Sequence, residues 1–450
     1  MEKREKVDRR RLLGVAYEPS RIAKKLHPFY RGKIEIVSKC RIKNFDDFSV
    51  WYSPGVAEVC KDISKEPELV YEYTNKWNSV AVVSDGTRVL GLGNIGPEAG
   101  MPVMEGKSLL YKYLGGVDAY PICLGTIDEN EIIRTVKILQ PSFGGVNLED
   151  IEQPKCFSVL DTLRKECNIP VWHDDQQGTA IVTLAGLINA LKIVSKKIDK
   201  IKITMVGAGA ANICIYKLLS LYGANPANII LVDLHGVINK NRSDLTLHSE
   251  KWKTAMNTNI NNLDGGIKEA MENADVVIAL STPGPDVIKK EWIETMAKNP
   301  IIFACANPVP EIWPWEAKEA GAAVVATGRG DFPNQVNNSL GFPGVFRGVL
   351  DVRASTITDS MCITAALGLA SCIADNKIRS DKILPSMDDW EIFPKIAAAI
   401  GVKAIEEKIA NKKLSYDEIF NNAKMIIKRS RAITKTMMEK GYIKSAEDKI

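Results

Sequence analysis

The sequence lacks the features that mark secreted, membrane-spanning or nucleic-acid-binding proteins. Its nine cysteines are scattered and odd in number, with no C-x-x-C pair, which indicates free thiols in a reducing compartment. The longest apolar run, residues 361–374, is too short to span a bilayer, and residues 1–15 hold too short an apolar segment for a secretory signal. We therefore expect a cytoplasmic protein that does not associate with membranes.

A strong excess of either charge is also missing. The formal net charge of +4 is spread along the chain, so no basic stripe predicts a nucleic acid partner, although the balance suits small anionic substrates. Because 450 residues exceed what one hydrophobic core supports, we expect two or three domains.

Two pairs of acids stand between predicted buried strands and helices. Asp174 and Asp175 follow the apolar residues 169–172 and precede apolar residues at helical spacing. Glu149 and Asp150 follow another short strand. A single such aspartate is typical of a helix cap, but paired buried carboxylates are costly unless a cation or hydrogen-bond donors compensate them. The repeated order of strand, acids and helix is typical of a parallel sheet, in which ligands gather at the carboxyl ends of strands.

Two other residues could carry chemistry, although each also has a plain structural interpretation. Tyr52 lies beside a Pro-Gly turn, where tyrosine is mostly a packing residue. Lys107 lies in the first turn of a predicted helix, where lysine is normally a solvated surface charge. If Lys107 were buried there, its pKa would be lowered, as a general base needs.

A dinucleotide-binding unit is predicted from residue 200 onward. A strand over residues 201–206 leads to Gly207, Ala208, Gly209, Ala210 and Ala211, which open a predicted helix. The next strand ends in Asp233, 26 residues after Gly207, where an acid that binds the adenosine ribose is expected. Asn212 stands where Gly or Ala normally allows tight packing, so we expect locally looser packing there.

Eight motifs together resemble those of the malic enzyme family, in its small-subunit form. They cover roughly residues 44–370 in the family's order: YSPGVA at 52, SDGTRVLGLGNIG at 84, GMPVMEGK at 100, NLED at 147, HDDQQGTA at 173, GAGAAN at 207, ANP at 306 and NQVNN at 334. Ser53 is a departure, since Thr is common there.

The resemblance implies a role for each matching residue. Tyr52 would be the general acid and Lys107 the general base, with Asp174 oriented beside Lys107. Glu149, Asp150 and Asp175 would bind the metal, and Arg88, Asn307 and Asn338 the substrate. The turn from Gly207 to Ala211, with Asp233 and Asn307, would bind NAD or NADP. An all-oxygen ligand set suits Mg²⁺ or Mn²⁺ rather than zinc.

The resemblance also implies the architecture and the reaction. We expect an α/β protein with an N-terminal catalytic domain over residues 1–170, a doubly wound, parallel-sheet Rossmann-type domain over 171–400, and C-terminal helices over 401–450. A short strand is also predicted at residues 34–37. The expected reaction is the oxidative decarboxylation of L-malate to pyruvate by a homodimer.

Three alternatives remain open at this point. A malolactic enzyme would use the same fold and release lactate. An amino-acid dehydrogenase would not need the three acids, and a non-catalytic relative would show damage at Tyr52, Lys107 or the acids, which is absent from the sequence.

The sequence slightly favours NAD over NADP. Asp233 can accept hydrogen bonds from free ribose hydroxyls and repels a 2′-phosphate. Against this, four basic residues follow and a loop could bring one of them to the phosphate: Lys240, Arg242, Lys251 and Lys253.

Overall fold

The chain folds around two β-sheets in the computed structural model, which describes residues 9–247 and 249–449. The first sheet is entirely parallel. Its strands are β1 (Ser79–Ser84), β2 (Asp118–Cys123), β3 (Gly145–Leu148) and β4 (Val171–His173). Their spatial order is β2-β1-β3-β4, so the strands that end in the two acid pairs are neighbours.

Seven helices accompany the first sheet along the chain. They are α1 (Arg9–Tyr30), α2 (Asp47–Trp51), α3 (Val56–Lys65), α4 (Val70–Tyr73), α5 (Pro97–Gly115), α6 (Glu129–Leu139) and α7 (Lys155–Glu166). The strand predicted at residues 34–37 is wrong, because these residues are irregular, largely exposed and paired with no sheet in the described chain. The short apolar run there lacks a neighbouring strand edge to pair with.

The helix that follows β4 lies in the middle of the molecule. A wide π-helical turn (Asp174–Gly178) leads into α8 (Thr179–Val194). The span from Asp174 to Val194 is long and apolar enough to cross a membrane, but 72% of its apolar window is buried within the protein. Burial on all sides explains a helix that is apolar around its whole circumference.

The second sheet confirms the doubly wound architecture. Its strands are β5 (Ile203–Val206), β6 (Ile229–Asp233), β7 (Gly236–Val237), β8 (Val276–Ala279), β9 (Ile301–Ala304) and β10 (Val324–Thr327), in the order β10-β9-β8-β5-β6-β7. Only the edge strand β7 is antiparallel. The chain reverses direction across the sheet between β5 and β8, and ligands bind at such switch points. The accompanying helices are α9 (Ala210–Tyr222), α10 (Glu250–Asn257), α11 (Ile267–Met271), α12 (Lys290–Glu294) and α13 (Pro314–Glu319).

Four further helices close the structure and return to the first sheet. They are α14 (Phe342–Asp351), α15 (Asp359–Ala370), α16 (Ile392–Glu406) and α17 (Tyr416–Glu439). On α17, Ser430 donates a hydrogen bond to the carbonyl of Lys112 on α5, at 2.7 Å. The C-terminal helices therefore support the helix that carries Lys107.

The domain boundaries from the sequence stay predictions, although two elements bear on them. The boundary at residue 170 falls just before β4, which pairs with β3 of the first sheet. The boundary at residue 400 falls within α16.

Packing of α14 against α16 should tolerate no added methyl group at Gly348. A Cβ there would lie 2.4 Å from both the Ala397 carbonyl oxygen and Ile400 Cγ2. We expect Gly348→Ala to destabilise the protein by about 1–3 kcal/mol, because overpacking displaces the neighbouring helix. At Gly368 the nearest atom to an added Cβ is 3.7 Å away, so Gly368→Ala is the matched control. Thermal unfolding checks both, and an unchanged midpoint for Gly348→Ala would contradict the packing argument.

Candidate active site

Three carboxylates from two neighbouring strands converge at the carboxyl edge of the first sheet. Glu149 and Asp150 follow β3, and Asp175 lies in the turn after β4. One oxygen of each side chain lies within 4.8 Å of the other two. The acids that the sequence set apart by 25 residues are thus brought together because β3 and β4 are adjacent.

The cluster has the properties of a site for a hard cation. The Asp150 Oδ2 atom is buried without a hydrogen-bond partner among the described residues. Burial and the charge of Asp175 raise the pKa of Asp150 to about 8. Burial likewise raises the pKa of Glu149 well above its ordinary value, although Lys107 opposes the shift. Oxygen ligands in this number and crowding fit Mg²⁺ or Mn²⁺, whose charge would offset the repulsion.

Lys107 lies beside this cluster, deep in the protein. Its Nζ atom is 2.5 Å from Asp174 Oδ2 and 2.9 Å from Glu149 Oε1, and 4.4 Å above the Phe342 ring. Burial lowers the pKa of Lys107, but the two carboxylates outweigh burial and raise it above its ordinary value. The expected depression of this pKa is therefore wrong for the arrangement in the structure.

The helical position of Lys107 also differs from the sequence prediction. Helix α5 begins at Pro97, so Lys107 lies in its middle and not in its first turn. The sequence suggested a later start because Pro102 normally marks a helix boundary. Here Pro102 lies within the helix.

Asp174 is held by hydrogen bonds from two neighbours and lies against a glycine. Trp172 Nε1 donates to its Oδ1 atom at 3.0 Å, while Lys107 occupies Oδ2. A Cβ at Gly178 would lie 2.0 Å from Asp174 Oδ1 and 3.2 Å from Cβ of Asn338. The glycine thus lets the turn close over Asp174, and it places Asn338 at the same edge.

Two residues that the sequence analysis did not single out support Glu149. The Tyr111 hydroxyl donates to Asn147 Oδ1 at 2.7 Å, and Asn147 Nδ2 donates to Glu149 Oε2 at 2.8 Å. Asn147 lies on β3, two residues before Glu149 at the strand's end, so the alternation of side chains along the strand could have indicated it.

The loop after β1 carries Arg88 to the cluster and meets the second sheet. The Arg88 N–H donates to the Asp150 carbonyl at 2.9 Å, and the Arg88 side chain is exposed. In the same loop, a Cβ at Gly91 would lie 2.1 Å from the Asn307 carbonyl oxygen. The loops that carry Arg88 and Asn307 therefore lie against each other, and the substrate-binding roles of the two residues stay predictions.

Tyr52 is the one predicted catalytic residue that the structure does not bring to the cluster. It lies between α2 and α3, where 73% of its surface is exposed, and its hydroxyl makes no hydrogen bond to the described residues. Tyr52 is therefore exposed while Lys107 is buried, and its predicted role as general acid stays a prediction.

The dinucleotide turn has the expected glycine geometry. Gly207 has a φ of +96°, and a Cβ there would lie 2.5 Å from the Leu280 carbonyl oxygen. Gly209 precedes α9, which begins at Ala210. The looser packing expected at Asn212 is wrong, because its buried amide donates to the carbonyls of Val206 (2.9 Å) and Gly207 (2.8 Å). This hydrogen-bonding replaces the close contact that Gly or Ala would make.

A buried acid missed by the sequence analysis joins two cofactor-side loops. Glu311 Oε1 accepts from the Ser281 N–H at 2.8 Å, and its Oε2 accepts from the Ala306 N–H at 3.0 Å. These loops follow β8 and β9, and the second contains Asn307. An acid among the apolar residues 309–315 was the only sequence signal.

The fold and the site define a dinucleotide-dependent α/β enzyme with an acidic substrate site. Two family models match the chain: "Malic enzyme, NAD binding domain" over residues 176–408 and "Malic enzyme, N-terminal domain" over residues 31–131. The chain therefore belongs to the malic enzyme family, whose members are decarboxylating oxidoreductases.

Proteins of similar sequence match this chain over most of its length. A bifunctional malic/malolactic enzyme of Bacillus subtilis is 51% identical, covering 88% of this chain and 95% of that protein. An NAD-dependent malic enzyme of Geobacillus stearothermophilus is 49% identical, covering 85% and 78%. The crystal structure of the Entamoeba histolytica malic enzyme is 45% identical and superposes with a TM-score of 0.95 over 98% of this chain and 93% of that one.

Substitution of Glu311 should disturb the cofactor-side loops. Two backbone N–H groups donate to the Glu311 carboxylate. In Glu311→Gln, the side-chain NH₂ group would point at one of them and could not accept its hydrogen bond. We expect a loss of about 1–3 kcal/mol in stability, since a buried donor is left unpaired. The KM for the dinucleotide should rise as well. Steady-state kinetics and thermal unfolding measure both, with the exposed Glu294→Gln as control. Normal stability and KM in Glu311→Gln would show that the loops hold without this carboxylate.

Proposed function

We propose that the protein catalyses the metal-dependent oxidative decarboxylation of L-malate to pyruvate and CO₂ with reduction of NAD or NADP. The observation that carries this proposal is the position of Lys107 between Asp174 and Glu149, at the edge of a three-carboxylate cluster. Oxidation of a 2-hydroxy acid requires a proton acceptor next to a cation site. Here Glu149 contacts Lys107 and also belongs to the carboxylate cluster.

The residues divide the work of the reaction. A divalent cation held by Glu149, Asp150 and Asp175 would supply Lewis-acid stabilisation of the charge that develops on the C2 oxygen. Lys107 takes the C2 hydroxyl proton once neutral, and Asp174 keeps its ammonium group in place. Arg88, which is exposed on the loop beside Asp150, holds a substrate carboxylate through parallel hydrogen bonds. Tyr52 then protonates C3 of the enol left by loss of CO₂.

The alternatives receive less support from the site. The three-acid cluster has no purpose in an amino-acid dehydrogenase that uses a lysine base and no metal. Every residue of the proposed machinery is intact, which argues against a non-catalytic relative. A malolactic enzyme would share all of these residues, and no contact in the described chain specifically favours reduction to lactate. Pyruvate is therefore the proposed product.

Homodimer formation would complete the site. Residues 31–66 form an arm along which large apolar side chains are exposed, and such patches mark interfaces. These side chains include Ile36, Val37, Phe45, Val50, Trp51 and Tyr52. Because Tyr52 is exposed while Lys107 is buried, we propose that the arm packs on a second copy of the chain and carries Tyr52 into its active site.

A cytoplasmic location fits the state of the cysteines. All nine are free, and several are buried with raised pKa values, such as Cys167, whose pKa burial raises to about 11. We propose that the protein works in a reducing compartment, where such thiols remain unpaired.

Removing one carboxylate tests the metal site. Asp175→Asn keeps the side-chain volume but removes one negative charge, so we expect at least about a thousand-fold loss of malate-dependent turnover with little change in stability. The assay follows absorbance of the reduced cofactor while Mn²⁺ is titrated, and Mn²⁺ binding is measured separately. Asp199→Asn on the surface is the control. Full activity of Asp175→Asn at saturating Mn²⁺ would remove Asp175 from the ligand set.

Mixed dimers test the roles of Tyr52 and Lys107 together. Alone, Tyr52→Phe should oxidise malate to some degree but finish the reaction slowly, and Lys107→Ala should fail at hydride transfer. Co-expressed with two different affinity tags, the two variants should form a dimer with one intact site. We expect the doubly purified dimer to regain about half of the wild-type turnover, as one of two sites predicts. Two inactive sites in a folded mixed dimer would show that Tyr52 acts within its own chain.

A further inference from the structure

Asp233 lies where the dinucleotide's adenosine ribose is expected, and basic side chains surround its carboxylate. It ends β6, which runs parallel to β5, the strand that leads into the turn at Gly207. Its carboxylate is nearly buried, with 5% of the side chain exposed. Two basic side chains contact it: Arg242 from the loop after β7 and Lys251 from the first turn of α10.

The acceptor capacity of Asp233 is fully used by the protein itself. Its Oδ1 atom accepts from Arg242 Nη1 at 2.7 Å and from the His235 N–H at 2.9 Å. Its Oδ2 atom accepts from Lys251 Nζ at 2.8 Å and from Arg242 Nη2 at 3.3 Å. A carboxylate offers about four lone-pair sites. The acceptor that a free ribose 2′-hydroxyl would need is therefore already occupied.

Arg242 and Lys251 differ in what they can still bind. The Arg242 guanidinium is committed to Asp233, the Gly236 carbonyl and Asp244. Lys251 donates one hydrogen bond, to Asp233, among the described residues, although an ammonium group has three. Its side chain is 30% exposed. Lys251 thus presents an available cation at the position where a 2′-phosphate would project.

The charge of Asp233 does not oppose a phosphate in this arrangement. Burial raises the pKa of Asp233, but hydrogen bonds from Arg242 and Lys251 outweigh it and hold the pKa below its ordinary value. The carboxylate is ionised and paired, so its repulsion of an incoming anion is largely cancelled. The preference for NAD that Asp233 alone would suggest depended on an unpaired acid.

We propose that this enzyme prefers NADP over NAD, with Lys251 contacting the 2′-phosphate and Arg242 acting as a positioning residue that neutralises Asp233 and occupies its oxygens. The inference rests on the proposed dinucleotide-dependent function, and it assigns the cofactor class of that same site.

Binding of adenosine 2′,5′-bisphosphate, compared with adenosine 5′-monophosphate, tests the inference without any turnover. By isothermal titration calorimetry, the wild-type protein should bind the bisphosphate at least about tenfold more tightly, the scale of one charge-assisted hydrogen bond. Lys251→Ala should remove that difference, while Lys253→Ala, on the same helix but paired with Glu250, should retain it.

Kinetics with both cofactors distinguishes a residue that contacts the 2′-phosphate from a residue that acts through Asp233. Lys251→Ala should raise the KM for NADP about tenfold with kcat unchanged. It should lower the KM for NAD less than Arg242→Gln does, because it frees one acceptor site on Asp233 rather than two. Arg242→Gln should raise the KM for NADP and also lower the KM for NAD, because Asp233 regains free acceptor sites. Arg242→Lys should restore part of the NADP preference.

Two results would overturn the inference: equal binding of the two adenosine nucleotides by wild type, or an unchanged preference in Lys251→Ala. Tight bisphosphate binding in a protein that does not oxidise malate would instead support the inference and reject only the proposed reaction.

Discussion

The buried contact of Lys107 with Asp174 and Glu149 is the interaction on which the rest of the structure depends. One nearly buried ammonium group between two carboxylates is stable only because each carboxylate is further hydrogen-bonded. Trp172 supports Asp174, and Asn147 supports Glu149. Leaving one such charge unpaired costs about 3–5 kcal/mol in buried sites, so these supports are as necessary as the reacting groups.

This contact also joins elements that are distant along the chain. Lys107 comes from α5, Glu149 from the end of β3 and Asp174 from the turn that starts the central helix α8. Helix α5 is supported in turn by α17, through Ser430, and by close contact of Gly115 with Pro343 at the start of α14. The C-terminal helices therefore help to hold the helix of Lys107 in place.

The two sheets and their helices contribute different chemical groups. The first supplies carboxylates and Lys107, while the second supplies glycine turns and backbone groups that suit a dinucleotide. The loops of the two sheets meet where Gly91 lies against the Asn307 carbonyl, and only a residue without a side chain fits there. The loop after β1 and the loop after β9 are thus held side by side.

The sequence by itself determined those features that depend only on residues close together along the chain. Strand, acids and helix in repetition predicted the parallel sheet, and glycines at 207 and 209 with an acid at 233 predicted the dinucleotide unit, because turns and periodic burial leave direct marks on residue types. Local patterns misjudged the start of α5, the strand at 34–37 and the packing of Asn212, since each depends on a neighbour elsewhere in the chain. Only the tertiary structure decided that two carboxylates raise the pKa of Lys107 and that Tyr52 is exposed while Lys107 is buried. It also decided that Arg242 and Lys251 occupy Asp233. Pair distances and burial set these properties, and residues far apart in sequence carry no local mark of their contact.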